Sequence, residues 1–72
     1  MNITTVQTTK DSLEDIASIL DIDEQAPVKV QDLYFPLGYF QEFPDLQTHL
    51  DINTFNNLKS GNIEAVKFVG IN

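Results

Sequence analysis

The stretch Ile63-Glu64-Ala65-Val66-Lys67-Phe68-Val69-Gly70-Ile71 decides how the rest of the chain is read. It is rich in β-branched and aromatic residues, the composition of a strand. Apolar residues fall on both alternating faces, as expected of a strand covered on each side. Its counterpart lies at the other end: Asn2-Ile3-Thr4-Thr5-Val6-Gln7-Thr8, threonine-rich and β-branched. Ile3 and Val6 point to opposite faces of such a strand, which suggests an edge strand or a ragged start. Two strands at the chain ends are expected to pair and to tie down both termini. The predicted fold is α+β: a small antiparallel sheet formed by the terminal strands, with two or three short helices packed on it. With 72 residues, the chain is read as one domain over residues 1–72.

Working inward, the clearest helix has Leu13, Ile16, Ala17 and Leu20 at i, i+3, i+4 and i+7. Asp11 or Ser12 is expected to cap it, with Ser12 and Asp15 in capping-box spacing. Asp11, Glu14 and Asp15 in its first turn complement the helix dipole. The predicted span is about residues 12–20, ending in the polar stretch 21–27. Val28 and Val30 alternate with Lys29 and Gln31, the pattern of a short strand. Residues 33–44 follow, in which Tyr34, Phe35, Tyr39, Phe40 and Phe43 are five of the seven aromatics. Pro36, Gly38 and Pro44 prevent one long helix there, so the segment is read as a turn-rich connection whose rings plug the core. Pro44 can open a further helix with Phe43, Leu46 and Leu50 on one side. Asp51 or Asn53 can cap another, with Ile52, Phe55 and Leu58 inward and Gly61 just past its end.

Charge narrows the class of partner. Eleven Asp and Glu stand against four lysines and no arginine, a net charge of −7. Nucleic-acid binders neutralise phosphates with Lys and Arg. The lysines here, Lys10, Lys29, Lys59 and Lys67, are scattered among acids, so direct nucleic-acid binding is not expected. Anionic membranes are disfavoured for the same reason. No apolar run approaches the roughly 20 residues of a membrane span. Residues 1–20 lack the basic start and apolar core of a signal peptide, and a cytoplasmic location is expected.

No constellation for catalysis or metal binding emerges. Asp21, Asp23 and Asp32 superficially match a calcium loop, but Ala26 and Pro27 stand at its sixth and seventh positions and Asp32 stands where a Glu is required. His49 is the only histidine, with Asp45 and Asp51 near in sequence, and there is no cysteine. A transition-metal site needs more N or S ligands than that. Ser12, Ser18 and Ser60 lie in no nucleophile motif. The chain is read as a non-enzyme without cofactor or metal.

Residues 13–22 resemble the first helix of helix-turn-helix regulators. A recognition helix should then follow, but the next residues are Asp23, Glu24, Gln25, Ala26 and Pro27, poor material for lying against DNA. What remains is the juxtaposition of acids and aromatics. Residues 11–32 hold seven of the eleven acids. The candidate partner-binding residues are Asp11, Glu14, Asp15, Asp21, Asp23, Glu24, Asp32, Tyr34, Tyr39 and Glu42. The two tyrosines are included because their hydroxyls need partners or water. In size and charge the chain resembles small acidic inhibitors encoded by phages and mobile elements. Some of these mimic DNA charge, for example against CRISPR enzymes. The resemblance implies a larger protein partner with a basic surface, normally engaged with nucleic acid. The alternative is a structural or regulatory subunit, or a homodimer with an aromatic interface and incidental charge.

Overall fold

The structure is a computed structural model that describes residues 2–22 and 26–71. β-Branched residues make the first strand, β1 (Ile3–Thr8), and the last, β2 (Ala65–Gly70). Between them come α1 (Lys10–Ile19), α2 (Ala26–Gln31), α3 (Leu37–Glu42), a 3-10 helix (Pro44–His49) and α4 (Ile52–Ser60). The terminal strands do pair, but they run parallel, with Ile3 opposite Ala65 and Thr8 opposite Gly70. The expected antiparallel sheet is thereby overturned. Strand residues do not set the direction of a neighbour; the connection does. Segment 9–64 leaves the far end of β1 and returns to the end where β1 begins, the helical crossover that parallel strands need. The Glu64 N–H, donating to the Asn2 carbonyl at 2.7 Å, pins that return.

α1 starts earlier than its periodicity suggested. Its N-cap is Thr9, whose hydroxyl accepts from the Ser12 N–H at 3.1 Å, so neither Asp11 nor Ser12 is the cap. Residues 28–31 belong to α2 and not to a strand. Pro27 sits in the first turn of that helix, where its missing N–H costs nothing. The aromatic connection contains α3, which fits between Pro36 and Pro44. Asp51 caps α4 as its sequence suggested, and Gly61 ends it in the left-handed region, at φ 83°. Ile52 was expected inward but is 67% exposed. Three-residue steps lose about 60° per step on an α-helix, which carries Ile52 away from the face that buries Leu58.

The core forms where the helices meet one face of the sheet. Thr4, Val6 and Thr8 share that face with Val66, Phe68 and Gly70. Gly70 passes close beneath α1 and α2: a Cβ there would stand 3.2 Å from Leu13 Cδ1 and 3.6 Å from Gln31 Oε1. Leu13, Ile16, Ala17, Val30, Phe35, Phe40, Leu46 and Leu58 complete the buried cluster. Phe35 stands at its centre, packing edge-on against Phe68 with ring centroids 5.3 Å apart. Its backbone also forms an antiparallel bridge to Val66. Cover on both faces, expected from the sequence of β2, is met on the helix side. On the other, Ala65 is buried and Lys67 and Val69 half-buried, while Thr5 and Gln7 of β1 are exposed. Among the described residues no helix is long and apolar enough to cross a membrane.

Candidate functional site: an acidic helix surface

The same periodicity that buries Leu13, Ile16 and Ala17 turns Asp11, Glu14, Asp15 and Ser18 to solvent. Three carboxylates thus share one stripe of α1. They span about 6 Å of helix axis, one charge per two to three ångströms. Duplex DNA carries one per about 1.7 Å. Asp11 and Glu14 have no hydrogen bond or ion pair from their side chains among the described residues. Asp15 does: its Oδ2 lies 2.6 Å from Nε2 of His49. His49 ends the 3-10 helix and is largely buried, so this bond fastens the acidic helix to the far half of the chain. Sequence spacing had suggested Asp45 or Asp51 as the histidine's neighbour. The actual partner is 34 residues away, and no local pattern signals it.

The end of α1 positions the next acid. The Ile22 N–H donates to the Ala17 carbonyl at 2.9 Å and the Asp21 N–H to that of Ser18 at 3.1 Å. This is the Schellman arrangement, and it places Asp21 in the left-handed region at φ 58°. Glycine is the usual residue there, and aspartate is among the few others that tolerate it. Asp21 then lines an open cleft of about 520 Å³ with Ile22, Lys29, Asp32 and Leu33. Asp21 and Asp32 are therefore brought together across the α1–α2 connection. α2 occupies the sixth to eleventh positions of the calcium-loop pattern, so that segment has no loop shape. Among the described residues, no three acid or histidine side chains form a metal-binding group. Asp23 and Glu24 lie outside the described residues.

The aromatic candidates separate. Tyr34 is 54% exposed, with the Lys67 ammonium 5.5 Å from its ring centroid. Tyr39 is half-buried, its ring edge-on to Phe35 at 5.0 Å, and serves the core. Glu42 is exposed at the end of α3. Phe35 and Phe40 are fully buried, so the aromatic block is mainly the core and Tyr34 its one exposed member. No family model, curated protein or solved structure matches the chain.

Proposed function

We propose that the chain is a small acidic protein–protein interaction module that occupies a basic surface on a larger, nucleic-acid-handling partner. It would act in the cytoplasm as an inhibitor or modulator of the phage or mobile-element type, by binding and not by catalysis. The supporting observation is the α1 stripe: carboxylates at near-DNA density on a rigid helix, two of them without partners of their own. A preformed charge array loses little on binding and steers encounter with a basic site. Asp21 and Asp32 at the neighbouring cleft extend the charge toward α2.

The test is affinity capture from the native host with the immobilised chain and with an Asp11→Asn/Glu14→Gln variant. Asp15 is left in place because it holds His49. Mass spectrometry should find a basic nucleic-acid-binding protein retained by the native chain and lost by the variant. Its Kd should rise steeply between about 50 and 200 mM salt. Equal capture by both chains, or a Kd indifferent to salt, contradicts charge mimicry.

A further inference from the structure

The two edges of the sheet are finished differently. The outer edge of β2 is closed at Val66 and at Gly70. Val66 exchanges both backbone bonds with Phe35, at 2.8 and 2.9 Å, and the Gly70 N–H donates to Gln31 Oε1 at 3.0 Å. The outer edge of β1 is open. The Asn2 and Thr8 carbonyls accept from Glu64 and Ile71 on the β2 side, at 2.7 and 2.8 Å. Backbone groups of successive strand residues point to opposite edges. Ile3, Thr5 and Gln7 therefore aim their N–H and C=O groups away from β2, and among the described residues nothing bonds to them there. Natural edge strands are normally blunted by lysine, proline, a bulge or an inward charge. β1 has none of these, and residues 2–9 carry no charge in a chain of −7.

From this edge we infer that β1 is a self-pairing strand: it joins antiparallel to β1 of a second copy, making one four-stranded sheet. The strand itself selects the occupant, being neutral and self-complementary in antiparallel pairing. Two chains of −7 repel wherever their helices meet, and the neutral β1 edge lets them join without opposing carboxylates. A two-fold axis at Thr5 puts Ile3 opposite Gln7 and Thr5 opposite Thr5, so every outward backbone group finds a partner. That gives about six new bonds. Thr–Thr is a favourable cross-strand pair. α1 and α2 close on the sheet at Gly70 of β2. The pairing also widens a sheet of two strands in a chain too small for a large core.

Light scattering over about 10 µM to 1 mM is the primary test, a range in which modest strand-edge contacts register. The mass should climb from 8.1 kDa toward twice that value. Thr5→Pro removes an N–H that β2 does not use, and edge strands tolerate proline so placed. Thr5→Lys sets like charges face to face across the axis. Both variants should remain folded monomers over the same range, and Thr5→Lys carries the test alone if the proline variant does not fold. Amide exchange at Ile3, Thr5 and Gln7 should slow at least tenfold as the native dimer forms. A native chain that stays at 8.1 kDa throughout overturns the proposal. So does a folded Thr5→Lys variant that dimerises as well as the native chain, because the contact then lies elsewhere.

Discussion

The solvent face of α1 and the outer edge of β1 adjoin in sequence, separated by Thr9 alone, yet their chemistries are opposite. α1 presents carboxylates, with its backbone bonded along the helix beyond the first turn. β1 presents unpaired backbone and no charge. A surface of fixed charges recruits by long-range attraction that salt screens. A strand edge recruits by short-range hydrogen bonds, and between two acidic copies salt helps by screening their repulsion. Under the proposed function and the proposed dimer, one small chain would address two kinds of partner without either surface competing for the other's ligand.

Both surfaces hang on one core, so the largest effect comes from removing its centre. Phe35→Ala deletes a fully buried ring that also stands over Phe68 and beside the closed edge of β2. It should cost about 3–5 kcal/mol, most of the stability of a domain this size, and urea unfolding should register loss of both surfaces together. If one surface survived the substitution, the two would not share a scaffold.

Gln31→Ala acts on the edge of β2. It leaves the partly buried Gly70 N–H without its acceptor, at a cost of about 1–3 kcal/mol in urea unfolding. It also removes part of the contrast between the edges, since β2 then exposes one more unpaired group. Asp21→Gly acts on the helix surface alone and has the opposite sign. Relieving a left-handed aspartate should stabilise the chain by about 0.5–1 kcal/mol while removing an acid from the cleft, so thermal stability rises as partner affinity falls.

The smallest effect touches neither surface. The Thr54 hydroxyl and backbone N–H hold the Asp51 carboxyl below the usual carboxylate range. The folded pKa is thus below the unfolded one. The cap's contribution is fully present above about pH 4, the unfolded value, and is lost as pH falls through the folded value. Thermal midpoints between about pH 5 and 2 should show a shallower acid-side decline for Asp51→Asn than for the native chain.

What the chain's letters disclose tracks how local each cause is. The α1 periodicity, the Asp51 cap and the Gly61 terminus are decided within a few residues, and all three stand in the structure. The edge character of β1 was legible in its imperfect alternation. The parallel direction was not, because it depends on where a helical crossover returns. α2 was hidden by the alternation of Val28 and Val30, the pattern of a strand. The Asp15–His49 bond was beyond reach because its partners meet only after folding. For the acidic surface, residues 11, 14 and 15 followed directly from helix spacing, and Asp21 and Asp32 converge through a helix the sequence had read as a strand.

The most direct test of the account is one salt series on two equilibria. Across about 50 to 200 mM salt, the complex with a basic partner should weaken by an order of magnitude or more, and the neutralised α1 variant should lose most of that slope. Over the same range self-association should hold or tighten, and Thr5→Lys should abolish it without changing the partner's slope. Parallel weakening of both equilibria, or a partner affinity flat across the series, would contradict a division of labour between a charged helix and a neutral strand.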